Sequence, residues 1–358
     1  MSMSRAAVFR GSSQPITLQD IPLPTPGDGE LLVRILGCTL CGSDLHTATG
    51  RRSTPLPTIL GHEILGEIVA LGPNAPTQDF GGTDLQKGDR ITWSIAASCG
   101  ECFYCTRDLP QKCVALRKYG HEAMTPGYEL LGGLAEHALL LKGTALVKVP
   151  DELPLAVACP ANCATATIAG ALRAAGNVTG ATVCVFGMGM LGLTAAAMAD
   201  ATGAETVVAI DVDATRLGRA HAFGAAHAVQ PRQLDALTKD LTDGHGFDVV
   251  LEISGHEQAF RQGWDALRIG GTMVLVGSVF PAPPVGIELE QIVRRNVTLR
   301  GVHNYAPRDL ATAVAFLTEH HGRYPFADLV GPWYPLEQTA EALEAGLDPR
   351  YIRVGVGG

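Results

Sequence analysis

From Ala181 to Ser278 apolar stretches alternate with helix-forming ones: "ATVCVFG", an Ala-rich run, "TVVAID", a second helical run, "FDVVLEISG", a third, then "GTMVLVGS". These stretches are apolar throughout rather than at alternate positions, as suits strands buried on both faces. Strands of that kind, separated by helices, imply a parallel sheet covered on both sides. This region is therefore expected to be a doubly wound α/β domain.

Its first turn, within "VCVFGMGMLGLTAAAMA", spells G-x-G-x-x-G at Gly187, Gly189 and Gly192. Such glycines permit a tight turn, close approach of a pyrophosphate and close helix–strand packing, with the helix N-terminus facing the anion. In a chain with 42 glycines the spacing alone would be weak, but here it sits between a strand and a small-residue helix. Asp211 ends the next strand, nineteen residues after Gly192. Its carboxylate can accept hydrogen bonds from an adenosine ribose and would repel a 2′-phosphate, so NAD is expected rather than NADP. Arg216, five residues on, is a candidate ribose contact. The competing reading of Asp211 is a helix N-cap.

The first 150 residues have a different texture, rich in Gly and Pro, with short strand-like runs such as "ELLVRIL" (30–36) and "ILGEIVALG" (64–72). After "VTLRGVHNYAP" the strand–helix rhythm breaks, and the remaining tail is too short for a domain of its own. A length of 358 residues favours two domains, so the tail is expected to rejoin the first lobe. A net charge of −9 argues against nucleic-acid binding. No apolar run reaches membrane-spanning length, and "MSMSRAAVFRG" lacks the apolar core of a signal peptide. Nine cysteines, an odd number, fit reduced thiols in a cytoplasmic protein better than a disulfide framework.

Four of those cysteines fall within fifteen residues: Cys99, Cys102, Cys105 and Cys113, spaced C-x2-C-x2-C-x7-C. Four thiolates wrap one tetrahedral ion and leave no open position, which describes structural zinc in the lobe 95–115. An iron–sulfur pattern would bring the fourth cysteine sooner and follow it with Pro, whereas Val114 follows here. Elsewhere "CTLCGSDLH" (38–46) and "LGHEILGE" (60–67) supply Cys41 and His62, the mixed ligand types of catalytic zinc. A third ligand can come from "ACPANCATATIAG", where Cys159 and Cys163 would share a face if the segment is helical.

With "CGSDLH", "GHE", the four-cysteine lobe and the glycine fingerprint in this order, the chain resembles the zinc-dependent medium-chain alcohol dehydrogenases from about Ala6 to Val354. The resemblance implies a GroES-like β-rich catalytic domain (1–163) interrupted by a Rossmann domain (164–302), with 303–358 returning to the first. It implies catalytic zinc on Cys41, His62 and Cys163, with Glu63 as a transient ligand and Asp44 orienting His62. Cys159 stands where some relatives place an acid, so the choice between Cys159 and Cys163 stays open. Ser43 and His46 would carry the alcohol proton outward, and Thr167 would pack near the nicotinamide. Two zinc ions per chain, NAD, a small-molecule alcohol or aldehyde and a homodimer or homotetramer follow from the same resemblance.

Phrases including "KYGHEA", "VGSVFP" and "GVHNYAPRDL" resemble a narrower subgroup associated with phosphonate catabolism, which implies a phosphonate-bearing substrate. In "TGRRSTPLP" (49–57) Arg52, with Arg51 beside it, is the candidate contact for that anion. The competing functions are dehydrogenation of a neutral polyol or amino alcohol, and a non-catalytic zinc- and dinucleotide-binding redox sensor.

Overall fold

The computed structural model describes residues 2–357, which divide into two compact units. The first comprises residues up to Cys163, Ala306–His321 and the chain from Phe326 onward. The second comprises Ala164–Tyr305 and Gly322–Pro325.

The first unit is organised by the strand Leu31–Thr39, which pairs antiparallel with Glu63–Leu71, His137–Leu140 and Arg353–Gly357. Strands Arg90–Trp93 and Leu146–Lys148 extend this sheet on one side, and Val330–Tyr334 on the other. A three-stranded sheet of Thr17–Pro22, Met3–Phe9 and Thr58–Ile59 completes the unit's main strands. Val33, Ile64, Ile68, Ile91, Trp93, Leu134 and Val356 are buried in its core, where removal of apolar surface from water is the main stabilising effect. Glycine decides how the tail strand fits. A Cβ at Gly355 would stand 2.3 Å from the Trp333 ring, and one at Gly37 would stand 3.0 Å from it. Only bare backbone admits that indole.

The register places chemistry at one end of the sheet. Thr39 faces Glu63 on one neighbour and Gly355 on the other. Cys41, two residues further on, is the N-cap of the helix Gly42–Ala48, while His62 directly precedes its strand.

The second unit carries six parallel strands in the order His227–Val229, Thr206–Ile210, Thr182–Phe186, Phe247–Glu252, Leu267–Leu275, Thr298–Gly301. Strand order reverses between Thr182–Phe186 and Phe247–Glu252, the crevice where open α/β sheets bind ligands. Cys184, Phe186, Val208, Ile210, Val250 and Met273 are buried, which explains why these strands read as apolar throughout. The two outermost strands, three and four residues long, are too short and too exposed to announce themselves in the sequence. Among the described residues, no single helix is long and apolar enough to cross a membrane.

Candidate active site and metal centres

The ligand atoms of Cys41, His62 and Cys163 all lie within 4.8 Å of one another. The two sulfurs are 3.9 Å apart. Fully buried Asp44 organises the approach: its Oδ1 accepts from Gly61 N–H at 3.1 Å and lies 3.2 Å from His62 Nδ1, and its Oδ2 accepts from Cys41 N–H at 3.0 Å. A carboxylate at Nδ1 keeps the proton there and leaves Nε2 available as a ligand. Burial lowers the His62 pKa, but Asp44 dominates with Cys41 and pushes it up to about 10. The hydrogen bond with Cys163, aided by Arg353 and His62, holds the Cys41 thiol well below its ordinary value against burial. The same hydrogen bond, with burial, drives Cys163 upward. Two sulfurs and an imidazole nitrogen gathered this closely fit a zinc ion that keeps one coordination position open.

Cys159 lies apart from this cluster. The segment is not the continuous helix that would set Cys159 and Cys163 on one face: Cys159–Asn162 forms a 3-10 turn, and Cys163 breaks it at φ −131, ψ −74. Cys159 is fully buried, its sulfur 3.3 Å from where a Gly37 Cβ would sit. Asn162 explains the break. Its Oδ1 accepts from Ile64 N–H at 3.2 Å, and its Nδ2 donates to the carbonyls of His62 and Trp93 at 2.9 Å each. This amide ties the cysteine-bearing turn to the strand after His62. Its signal in the sequence was a wide polar amide inside "ACPANCATA".

Glu63, expected as a transient ligand, is not among the three clustered ligand atoms. Its carboxylate is fully engaged: Oε2 accepts from Thr39 Oγ1 at 2.6 Å and Arg353 Nε at 2.9 Å, and Oε1 accepts from Arg353 Nη2 at 3.0 Å. Burial raises the Glu63 pKa to about 7 despite Arg353. Arg353 is the residue that sequence reasoning missed altogether.

Ser43 Oγ is 3.4 Å from His62 Nε2, and half-buried His46 lies one turn further along the same helix. The carbonyl of His46 accepts from Arg52 N–H at 3.0 Å. Arg52 is half-buried and Arg51 exposed. Arg52 Nη1 is 3.4 Å from His121 Nε2, and the His121 ring centroid is 5.3 Å from that of His62. Burial first, then His62, Lys118 and Arg52, depress the His121 pKa so far that the ring stays neutral. Burial and Arg52 lower the pKa of Lys118. "KYGHEA" therefore supplies two residues to the site that its spacing does not reveal.

The second cysteine group is equally compact. The four sulfurs of Cys99, Cys102, Cys105 and Cys113 lie within 4.8 Å of one another. Backbone N–H groups of Cys99 and Ala115 donate to Cys113 Sγ at 3.3 and 3.4 Å, as thiolate sulfurs require. Backbone hydrogen bonds lower the Cys102 pKa to about 6, while burial raises Cys105 to about 12. Four sulfurs with no other donor fit a closed zinc site.

In the second unit the glycine turn follows the strand Thr182–Phe186. Gly187 has φ +97, and a Cβ at Gly192 would stand 1.7 Å from the Gly187 carbonyl oxygen. At Gly189, the N-cap of the helix Met190–Ala201, an added Cβ would meet nothing within 4 Å. That open space at a helix N-terminus fits a pyrophosphate. Asp211, 8 % exposed, accepts from Met188 N–H at 2.7 Å and Asp213 N–H at 2.9 Å. The cap of the following helix is Asp213, which accepts from Thr215 and Arg216 N–H, so Asp211 is not an N-cap. Arg216 is exposed on that helix, and Thr167 is half-buried on the helix Ala164–Ala175.

A parallel sheet with a glycine-rich turn at its switch point, in a chain that also gathers a Cys–His–Cys cluster, is the architecture of nucleotide-dependent metallo-dehydrogenases. Residues 27–151 match the alcohol dehydrogenase GroES-like domain, and residues 191–319 match the zinc-binding dehydrogenase family. The chain is 34% identical over 321 residues to an alcohol dehydrogenase of Geobacillus stearothermophilus, covering 88% of this chain and 89% of that one. It is 32% identical over 309 residues to a sorbitol dehydrogenase of Halalkalibacterium halodurans, covering 84% of each. Among solved structures, an alcohol dehydrogenase of Thermotoga maritima superposes with TM-score 0.93 at 29% identity over the full length of both chains. A zinc-binding dehydrogenase of Sinorhizobium meliloti, bound to NADP, does so with TM-score 0.85 at 26% identity, again over both full lengths. The chain belongs to the zinc-dependent medium-chain alcohol dehydrogenase family. It is an α/β oxidoreductase with a GroES-like domain and a Rossmann domain.

Proposed function

We propose that this enzyme transfers a hydride between an alcohol or aldehyde and NAD, with a catalytic zinc on Cys41, His62 and Cys163 and a structural zinc on Cys99, Cys102, Cys105 and Cys113. The observation that carries the reading is the three-ligand cluster with Asp44 behind His62, because an open metal position is what substrate activation needs. A zinc ion there supplies acidification of a bound alcohol and, in the reverse direction, polarisation of a carbonyl. Asp44 holds the His62 proton on Nδ1 so that Nε2 stays a ligand. Ser43 Oγ takes the alcohol proton and His46 passes it outward. Gly187, Gly189 and Gly192 hold the dinucleotide pyrophosphate, Asp211 and Arg216 its ribose, and Thr167 packs by the nicotinamide.

The preferred substrate in this reading carries an anionic group such as a phosphonate, met by Arg52. The name of the sorbitol dehydrogenase relative favours a second reading, a neutral polyol. We place the protein in the cytoplasm as a homodimer or homotetramer. A panel of charged and neutral alcohols and aldehydes, followed by NADH absorbance with zinc-loaded and chelated protein, tests the proposal. Zinc-dependent turnover with NAD is expected. Undiminished turnover after complete zinc removal would overturn it.

A further inference from the structure

We propose that Arg52, Lys118 and His121 form an oxyanion subsite beside the Cys41–His62–Cys163 cluster, selecting substrates that carry a carboxylate, phosphate or phosphonate. The inference rests on the dehydrogenase reading above and extends its anion contact from one loop arginine to a site built from two segments.

His121 is the central observation. The residue is 7 % exposed, its Nε2 faces Arg52 Nη1, and its buried Nδ1 has no hydrogen-bond partner. A guanidinium can only donate, so Nε2 accepts and the ring proton sits on Nδ1. A buried N–H without an acceptor is rare in folded proteins and calls for an explanation. An incoming oxyanion supplies the missing acceptor.

Charge points the same way. Neither Arg52 nor Lys118 has a side-chain ion pair among the described residues, and nearby Glu122 is engaged by Arg117 Nε and by Lys118 N–H. A bound oxyanion supplies the counter-charge that both lack.

The loop carrying Arg52 is fastened to the segment carrying His121. Thr54 Oγ1 donates to the His121 carbonyl at 3.2 Å, and Met124 N–H donates to the Pro57 carbonyl at 2.8 Å. His121 N–H in turn donates to the Lys118 carbonyl at 3.1 Å. The three side chains thus come from two segments held in a fixed relation, as a preorganised recognition site requires.

The test compares aldehydes of equal chain length ending in a carboxylate, a phosphonate or a methyl group, with zinc-loaded enzyme and NADH. The expected readout is the ratio of kcat/KM for the charged aldehyde over the neutral one. That ratio should fall about ten- to a hundredfold in Lys118→Met and in His121→Phe, whereas Lys118→Arg should keep it within about threefold. The carboxylate and phosphonate arms show which oxyanion the site takes. Zinc is measured on the same samples: equal losses on charged and neutral aldehydes, or zinc loss in Lys118→Met, would assign the cations to the metal centre and overturn the subsite. A wild-type ratio at or below unity overturns it too. Absence of turnover with every aldehyde would refute the dehydrogenase reading instead. Calorimetric titration of the zinc-loaded protein with methylphosphonate and acetate then decides the subsite alone. Binding about tenfold weaker in Lys118→Met than in wild type supports it, and equal binding overturns it.

Discussion

The guanidinium of Arg353 grips Glu63 through both Nε and Nη2, and the same Nη2 lies 3.7 Å from Cys41 Sγ. One residue of the tail strand thus neutralises a buried carboxylate and faces a sulfur of the Cys41–His62–Cys163 cluster. Glu63 is fully buried and Arg353 is 9 % exposed, so neither charge has water as an alternative partner.

Removing Arg353 should therefore be costly. Arg353→Leu leaves Glu63 buried and unpaired, and breaking such a pair costs roughly 3–5 kcal/mol. Urea denaturation of the variant should show that loss. Arg353→Leu combined with Glu63→Gln should recover a large part of it. No recovery in the double variant would show that Arg353 stabilises by packing instead.

Metal analysis should find two zinc ions per chain, one for each ligand group. Cys163→Ala should lose one ion and nearly all turnover while keeping its unfolding transition. Cys159→Ala should keep both ions, since its sulfur lies outside the cluster. Cys102→Ser should lose the other ion and lower thermal stability. Loss of catalytic zinc in Cys159→Ala would reverse the ligand assignment.

Turnover with NAD should exceed that with NADP, because the Asp211 carboxylate would repel a 2′-phosphate. Asp211→Ser should narrow the difference by improving NADP and weakening NAD. Equal use of both cofactors by the wild type would contradict the assignment.

The glycine turn separates a packing role from a binding role. Gly192→Ala forces a Cβ to 1.7 Å from the Gly187 oxygen, so thermal stability and dinucleotide binding should fall together. Gly189→Ala adds a methyl to open space. It should leave the melting temperature nearly unchanged yet weaken NAD binding measured by fluorescence titration.

Asp248 gives a pH signature in the second unit. It accepts from Thr182 N–H and Oγ1, each at 2.8 Å, and from Arg268 Nε at 2.6 Å. Burial raises its pKa, but these contacts together hold it below the ordinary 3.8. A depressed carboxylate stabilises the fold above its unfolded pKa and loses that contribution as pH falls through the folded value. Asp248→Asn should therefore be less stable by about 1–2 kcal/mol at pH 7. The gap should close as pH drops below about 4.

The second unit was legible because burial on both faces writes itself as uninterrupted apolar strands; only the short edge strands escaped. The four-cysteine lobe was legible because its cysteines lie within fifteen residues, whereas Cys41 and Cys163 stand 122 positions apart and only the resemblance joined them to His62. Arg353 was not, for a physical reason. Its partner Glu63 is 290 positions away, and only the pairing of the tail strand with Leu31–Thr39 joins them. His121 and Lys118 were hidden similarly, because folding rather than spacing brings them beside the Cys41–His62–Cys163 cluster. The reading of Cys159 and Cys163 as one helical face failed because the Asn162 side chain bonds to the backbone of the neighbouring strands and ends the turn at Cys163.

The tail strand also sets an order of events during synthesis. All six strands of the second unit's sheet are synthesised before Arg353–Gly357 exists. Until then Glu63 has no cation to face and Leu31–Thr39 lacks one of its neighbours. A nascent chain interrupted within the tail would carry all six strands of the nucleotide-binding sheet while Leu31–Thr39 still lacked its tail-strand neighbour. Translation must pass residue 353 before the two halves of the chemistry exist together.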